Sequence, residues 1–597
     1  MSSAPTIDGR PTTTDLAAVD LHLVDTAEDA WAFMNWLGQP RAALAIDTET
    51  GGFEFWKQPL RLVQFGDTTA GWVVPWQDWG GLAKDAIRRY DGRIVMHNAK
   101  FDERFLRVNG APIDRNRIDD TQAMAHLIDS SALKGLKPCG ARYLDARLGA
   151  MQGELKRAFA KYKWTWATVP VNYPDYWLYS ALDVVITSGL YELFQPKIQA
   201  DYRDVYEMEI AATWVLSDIE TKGARIDVAY CERMYEQVSR YVQDMADYIH
   251  RTYGCGTGDA AIRTKLQLLG FELTKRTPSG ELSVDKEVLE SIDHPLADDI
   301  LARRQAQKMA GAYFRNLLVR RDGDILHPDI DPLGAQTSRM SISSPALQQM
   351  PRGPVVRNAF IAREGNKLID VDFDQEEQRL IAHFSNDAGL IEAFRLADSG
   401  GTDFFTTVAR EVFQDPTMEK SDPRRGAVKT ASYAKSYGGG PTTIAAGVRR
   451  VNGVPWTVEE AEKFGNDYEA RYPGYKRWLR EVEREARTEL EASGSPAVRT
   501  PWGRRLVGDE DTIYAMTNYK IQGTAADVLK QKLVDLDSAG LTSYIVLPVH
   551  DELLFDVPAE DAEEVGSAVV DVMRETERFR VPLTCAAAIG DTWGEVH

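Results

Sequence analysis

The chain has 597 residues, 44% of them hydrophobic and 27% charged. That is the profile of an ordinary globular protein too long for one core, so two to four domains are expected. A formal net charge of −20 argues against binding nucleic acid through an overall positive field and leaves only local basic tracks for that purpose. No apolar run approaches a membrane span, and the start MSSAPTIDGRPTTT lacks the charged and apolar regions of a secretion signal. Cys139, Cys231, Cys255 and Cys585 are scattered without metal spacing or a disulfide framework, so a reducing, cytoplasmic home with no membrane partner is expected.

Residues Met1–Thr14 are Ser/Thr/Pro-rich and expected to be mobile, within a flexible N-terminus of about 20 residues. From Leu21 to about Pro196, β-rich runs such as AALAID, RLVQFGD and GWVVPW mix with helical segments. AIDTET ends a strand with Asp47 and Glu49 on one face. HNAKFDERFL puts Asn98 and Asp102 at the start of a helix, and YSALDVVIT sets Tyr179 and Asp183 at i and i+4 on one helical face. Each piece alone is common, and a cap at Asp102 or a surface pair at Tyr179/Asp183 would be the bland alternative. Together, four carboxylates can hold two metals, one polarising an attacking water and the other stabilising the leaving oxygen. Asp119-Asp120-Thr121 reads as a helix-capping cluster rather than a metal site. Local basic tracks are offered by Lys156/Arg157/Lys161/Lys163, Arg320/Arg321, Arg424/Arg425 and Arg504/Arg505.

From about Asp201 to His327 helical periodicity dominates. An acidic strand follows in LIDVDFDQEEQR, where Asp370, Asp372 and Asp374 share one face at period two. Neighbours on that face about 7 Å apart repel by about 2 kcal/mol at an effective dielectric near 20. A second acidic element is VHDELLF. Apolar runs on both sides read as buried strands, with a tight turn carrying Asp551 and Glu552 at its tip. Acids buried at such a tip cost several kcal/mol unless they meet a cation. Two acid-bearing strands that converge on a divalent metal pair suit nucleotidyl transfer. Between them, DPRRGAVKTASYAKSYGGG spaces Arg425, Lys429, Tyr433 and Tyr437 four residues apart along one side of a helix ended by Gly438-Gly439-Gly440-Pro441. Cations there could hold a triphosphate and aromatics could stack on a base; the bland alternative is a solvated basic face.

The three segments DFDQEEQR, RGAVKTASYAKSYG and VHDE, in this order, resemble the signatures of the family A DNA polymerases, the group that contains bacterial DNA polymerase I and several phage replicases. The Asp47/Glu49, Asp102 and Tyr179/Asp183 set is similar to the tyrosine subtype of DEDD 3′→5′ proofreading exonucleases, a resemblance that implies Tyr179 orients the attacking water. The resemblance runs from about residue 40 to His597. It implies a multidomain α/β and α+β chain, with a ribonuclease H-like exonuclease domain over 21–200 and a right-hand polymerase over 201–597. The thumb would span about 201–330, the palm and fingers about 331–597.

Carried over by position, the resemblance makes Asp372 and Asp551 the polymerase metal ligands and Glu552 a nearby carboxylate of secondary role. Glu377 becomes the steric gate against ribose 2′-hydroxyls. Arg425 and Lys429 would bind the triphosphate, Tyr433 and Tyr437 would line the nascent base pair, and His550 would touch the primer end. Arg339 would contact the minor groove, Asn518 and Gln522 the duplex, while Arg379 braces the fold. The implied cofactors are two Mg²⁺ per active site, with Mn²⁺ as a substitute. They would be held by Asp372 and Asp551 in one site and by Asp47, Glu49, Asp102 and Asp183 in the other. The implied partners are primer-template DNA and dNTPs. Replisome proteins such as a helicase or a single-strand binding protein are not identifiable, and the thumb has no room for a thioredoxin-binding insert.

Two positions depart from the family pattern. Phe405 stands where a DxH segment has His, and Tyr514 stands where many members have Arg four residues before Asn518. No 5′-nuclease fits ahead of Asp47. The implied activity is DNA-dependent DNA polymerisation with proofreading, in the lean form expected of a bacteriophage replicase. A bacterial repair polymerase without its 5′-nuclease, a non-catalytic DNA-binding scaffold, and a nuclease whose polymerase half only grips DNA remain open at this point.

Overall fold

The computed structural model describes residues 19–150, 152–351, 353–452 and 456–597. Ahead of them a short strand pair joins Thr6–Ile7 to Arg10–Pro11; the mobility expected for the rest of Met1–Thr14 lies outside the described residues.

The first part is built on six strands: β1 (Asp20–Leu23), β2 (Ala43–Thr50), β3 (Leu60–Gly66), β4 (Ala70–Pro75), β5 (Arg93–Met96) and β6 (Ile118–Asp120). Their order across the sheet is β1-β4-β3-β2-β5-β6. Strands β2, β3 and β4 form an antiparallel meander, whereas β1, β5 and β6 join in parallel. Parallel neighbours need a crossover, and helix α1 (Ala99–Val108) supplies the one between β5 and β6. Leu44, Ile46, Val63, Phe65, Ile94 and Met96 fill the core beneath one face.

Two further helices, α2 (Leu136–Tyr143) and α3 (Pro174–Asp201), pack together through Cys139, Leu182, Val185 and Ile186. Helix α3 is buried continuously from Ser180 to Leu190, as expected for a helix apolar on nearly all sides. Close approach is possible because β4 carries Gly71: a Cβ there would lie 2.2 Å from the Ala181 carbonyl oxygen. That contact sets Asp183, the charged residue in this run, beside the sheet.

Helix α4 (Arg203–Lys222) joins the two parts. Its buried Glu220 pairs with Lys100 and Arg104 of α1, and its buried Glu209 pairs with Arg504 at 2.6 Å and Lys530 at 2.7 Å. Breaking one side of such a buried pair costs on the order of 3–5 kcal/mol, so α4 is fixed on both sides. Helices dominate the stretch from Asp201 to His327, as its periodicity implies, but short strands interrupt them. Ala224–Arg225, Arg321–Asp322 and Ile325–Leu326 make a three-stranded antiparallel sheet. Helices α5 (Val228–Tyr253) and α6 (Pro295–Lys308) pack around Ile249, Ile262, Leu266, Leu296 and Ile300, a core separate from that of the remaining chain.

The second sheet contains β7 (Asn366–Phe373), β8 (Ile545–Val549), β9 (Glu552–Pro558) and β10 (Cys585–Gly590), in the all-antiparallel order β8-β9-β7-β10. Helices α7 (Glu376–Ser385) and α9 (Met516–Ser538) contribute Leu380, Val528 and Leu533 to its core. Helix α8 (Pro423–Ser436) belongs to a neighbouring helical core with Phe394, Phe405, Val428, Tyr468 and Trp478.

Candidate active sites

The two acid-bearing strands do converge. β7 lies antiparallel to β9, with Asp372 directly opposite Glu552. The β8–β9 turn is two residues, His550 and Asp551, and His550 holds a positive φ of 58°, uncommon for a residue with a side chain. This lifts Asp551 clear of the ladder while Glu552 remains in it. Glu552 is not at the tip as expected but buried as the first residue of β9. Its Oε1 accepts from Trp593 Nε1 at 2.9 Å and from Arg357 at 3.3 Å, and its Oε2 lies 3.1 Å from His597 Nδ1.

Asp370 is buried too, and its carboxyl is pushed up to about 8, by burial first and then by Glu552, Asp372 and Asp551. Burial followed by Asp551 raises Glu376 well above the usual carboxylate range, and burial raises Asp551 as well. A packed set of acids with raised pKa values is a site that gains from a hard divalent cation. Ligand atoms of Asp370, Glu552 and His597 lie within 4.8 Å of one another. Asp374, expected on the same face as Asp370 and Asp372, is drawn away. β7 ends at Phe373, Gln375 turns the chain with φ 54°, and Asp374 pairs with the buried Arg379 at 2.8 Å. Arg379 also pairs with Asp398 at 2.7 Å, in keeping with a bracing role.

Helix α8 begins with Asp422 as its cap and Pro423 in its first turn, and Tyr437 closes it ahead of Gly438. Arg425 and Lys429 are on its surface, but Arg425 is held by Asp403 at 2.7 Å and Thr406 Oγ1 at 3.1 Å. Sequence reasoning did not identify Asp403 as that partner. Phe405, at the departure from the DxH pattern, is buried and packs 5.9 Å from Tyr433, with the Lys429 ammonium 5.7 Å from its ring. It offers packing where a histidine would offer a hydrogen bond. Tyr437 donates to Glu377 Oε2 at 2.6 Å, and Arg339 pairs with Glu377 Oε1. Gln522 accepts from Thr337 Oγ1 at 3.2 Å, Asn518 has a buried Oδ1 that finds no hydrogen-bond partner among the described residues, and His550 Nε2 donates to the Gln348 carbonyl at 3.0 Å. Tyr514 is exposed, and its ring lies against Gly438 at the end of α8.

In the first part, Asp47 and Glu49 of β2, Asp102 of α1, and Tyr179 and Asp183 of α3 come together. Ligand atoms of Asp47, Glu49 and Asp183 lie within 4.8 Å of one another. Asp102 stands beside them, accepting from Thr48 Oγ1 at 2.6 Å, and Glu49 accepts from Ser180 at 3.2 Å. Burial pushes Asp47 up to about 7 and Glu49 to about 8, and it raises Asp102 with help from Asp47. These oxygens also fit a divalent cation. Asp120 caps as expected: its carboxylate accepts from Gln122 N at 2.7 Å, and from Asn98 N and Ala99 N at 3.0 and 2.8 Å. It thereby fixes the start of α1 and, through α1, Asp102. The residue that sequence reasoning missed is Lys137 of α2, which pairs with Asp183 and lies 4.1 Å from the Tyr179 ring centroid.

Among the described residues, no helix is long and apolar enough to cross a membrane. The family model for DNA polymerase family A matches residues 228–595, and that for 3′-5′ exonuclease matches residues 21–199. The chain is 28% identical to a DNA polymerase of Mycobacterium phage D29, over 97% of both chains. It is 30% identical to DNA polymerase I of Chloroflexus aurantiacus, over 84% of this chain and 54% of that one. In fold it is similar to the POL domain of Pol1 from M. smegmatis, solved in complex with DNA primer-template and dNTP. The TM-score is 0.76 at 23% identity, covering 96% of this chain and 100% of that one. With a model matched across both its acid-bearing strands and the helix between them, this chain belongs to DNA polymerase family A, and a 3′-5′ exonuclease domain precedes its polymerase domain.

Proposed function

We propose that the chain is a template-directed, DNA-dependent DNA polymerase with 3′→5′ proofreading, working as the replicase of a bacteriophage in its host's cytoplasm. The observation that carries the reading is the β7–β9 register, which sets Asp372 opposite Glu552 with Asp551 in the adjoining turn. The division that goes with it is an exonuclease over 21–200, a thumb over about 201–330, and palm and fingers over about 331–597. The phage assignment is supported by two relatives of matching length, the DNA polymerases of Mycobacterium phages D29 and L5, of which the chain covers 97% and 94%.

Asp372 and Asp551 would hold Mg²⁺ in the polymerase site, and Asp47, Glu49, Asp102 and Asp183 would hold it in the exonuclease. Bound there, it would neutralise charge on the reacting phosphate and lower the pKa of the attacking hydroxyl or water. Lys429, exposed on α8, would meet the triphosphate, and Arg425 would do so by exchanging Asp403 for phosphate oxygens. Tyr433 and Tyr437 would flank the new base pair, with Glu377 fixed against the sugar by Tyr437 and Arg339. Arg339, Asn518, Gln522 and His550 would grip the primer-template. In the exonuclease, Tyr179 would orient the water that attacks the terminal phosphodiester.

Primer extension with and without dNTPs tests the proposal. Elongation with dNTPs, and trimming from the 3′ end without them, are expected. DNA binding with neither reaction would leave a scaffold, and trimming without elongation a nuclease that only grips DNA.

A further inference from the structure

Lys137 sits where the exonuclease proposal assigns no role, and its placement is built rather than incidental. It enters α2 just after Gly135, from a segment anchored on both sides. Lys134 Nζ donates to both Asp331 oxygens at 2.6 and 2.7 Å and to the Leu333 carbonyl at 2.6 Å, and the Lys134 carbonyl accepts from His97 Nε2 at 2.9 Å. From this fixed base the Lys137 side chain, only 11% exposed, reaches Asp183 and lies across the face of Tyr179. Its ammonium also draws on Asp47 and Glu49. The neighbouring cation, Arg61, donates instead to the Trp166 and Val169 carbonyls at 2.7 and 2.6 Å. Lys137 is thus the ammonium aimed into the carboxylate cluster.

The charges close around one further anion. Asp47, Glu49, Asp102 and Asp183 carry four negative charges when ionised, and a two-metal site brings about four positive ones. The Lys137 ammonium, with the Arg61 charge behind it on Glu49, then leaves the site positive enough to accept one phosphodiester, and of the two cations Lys137 is the one aimed at it. With Asp183 holding a divalent cation, the ammonium would lose that partner, and the Tyr179 face would keep it beside the place where the attacking water would be oriented.

We propose, resting on the exonuclease reading, that Lys137 is a substrate-binding residue whose ammonium exchanges Asp183 for a non-bridging oxygen of the scissile phosphodiester at a single-stranded 3′ end.

Single-turnover trimming of a 5′-fluorescein-labelled oligothymidylate, over a range of enzyme and NaCl concentrations, reads half-saturation and maximal rate at this site alone. Lys137→Ala is expected to raise half-saturation at least tenfold and to make its logarithmic salt dependence shallower by about 0.7, the contribution of one phosphate contact on a single strand. Lys137→Arg should keep the parental slope, and primer extension should be unchanged in both. Calorimetric titration of Mn²⁺ into DNA-free protein should show no loss of affinity in Lys137→Ala. Parental half-saturation and salt slope in Lys137→Ala would overturn the proposal, even if maximal rate fell. So would weakened Mn²⁺ binding with the slope retained, since Lys137 would then only arrange carboxylates. Failure of the exonuclease reading itself shows differently: Asp47→Ala/Glu49→Ala would trim at the parental rate.

Discussion

The phenol of Tyr437 donates to Glu377 Oε2 at 2.6 Å, tying the end of the cation-and-aromatic helix to the helix that follows the acidic strand. Arg339 pairs with the other oxygen of the same carboxylate, so Glu377 is held from two sides at 9% exposure. A carboxylate fixed in this way makes a rigid wall. Glu377→Ala is expected to accept ribonucleotides more readily while slowing normal synthesis, because Arg339 and Tyr437 lose a shared partner. Tyr437→Phe removes one of the two ties and should give a smaller shift in the same direction. Incorporation ratios of ribo- to deoxynucleotide on one template measure this, and ratios equal to the parent's in Glu377→Ala would remove the gate role.

Asp372→Ala and Asp551→Ala should each abolish extension while leaving 3′-end trimming and DNA binding nearly intact. Removing one electrostatic stabiliser from a water-poor site costs about 10²–10³ in rate, and a metal ligand should cost at least that. Glu552→Gln should be milder in chemistry but costly in stability. It leaves Arg357 and His597 facing a neutral amide in a buried site, and disrupting a buried pair costs on the order of 3 kcal/mol. Extension rates with denaturation midpoints separate the two effects, and extension within tenfold of the parent in either aspartate variant would exclude that ligand.

Asp47→Ala with Glu49→Ala should stop degradation of single-stranded 3′ ends and spare polymerisation. The two clusters are on different sheets, linked through α4. Trimming assays beside primer extension give both readouts in one preparation.

The carboxylates were legible because each lies in a short-range pattern. Asp47 and Glu49 alternate on one strand, Tyr179 and Asp183 are one helical turn apart, and the Asp551 turn is bracketed by apolar runs. The partners that tune them were not, because they arrive from far along the chain. Lys137 meets Asp183 across 46 positions in the sequence, and Arg357 meets Glu552 across 195. Asp374 failed for a local reason: its period-two spacing holds only while the strand lasts, and the positive φ of Gln375 ends it. The mixed structure between Asp201 and His327 was hidden because two-residue strands leave no periodicity to read.

Two buried histidines should make the first part of the molecule sensitive to mild acid. His97 and His126 are buried, and burial drives them down to about 4 and about 3. Each folded pKa is depressed below an unfolded value near 6.5. At these two residues the unfolded chain therefore binds protons first as pH falls, and their contribution to stability is full above about 6.5 and is lost progressively down to about 4 for His97 and about 3 for His126. His126 meets the Ala335 carbonyl at 3.3 Å, across the contact with the second part. Asp47 and Glu49 of the same part work in the opposite direction, because their folded values of about 7 and about 8 lie above the unfolded ones and gain stability as pH falls. The histidine contribution is therefore read as a difference: in urea melts from pH 7.5 to 4.5, the midpoint of His126→Gln relative to the parent should rise as pH falls below 6.5. A parent-to-variant difference that stays constant across that range would mean that His126 is not neutral in the fold.

The last prediction rests on the hydroxyl of Tyr433. This residue lies one turn after Lys429 on α8, half-buried, with its ring 5.9 Å from Phe405. On the proposed function it faces the sugar and triphosphate of the incoming nucleotide. When that nucleotide lacks a 3′-hydroxyl, the phenol can take over the space and the hydrogen-bonding role of the missing group. A phenylalanine cannot, so a polar group in a closed site would go unpaired at a cost of roughly 1–3 kcal/mol. The parent should therefore be terminated easily by dideoxynucleotides. Tyr433→Phe should discriminate against them at least tenfold more strongly, while its use of ordinary dNTPs changes little. Phe405→His supplies a contrast from the same pocket: it adds a hydrogen-bonding group near Lys429 without touching the Tyr433 hydroxyl, so it should alter nucleotide KM and leave the dideoxy ratio near the parent's. Incorporation ratios for the three enzymes on one template decide the matter, and equal ratios for the parent and Tyr433→Phe would mean the hydroxyl takes no part in sugar selection.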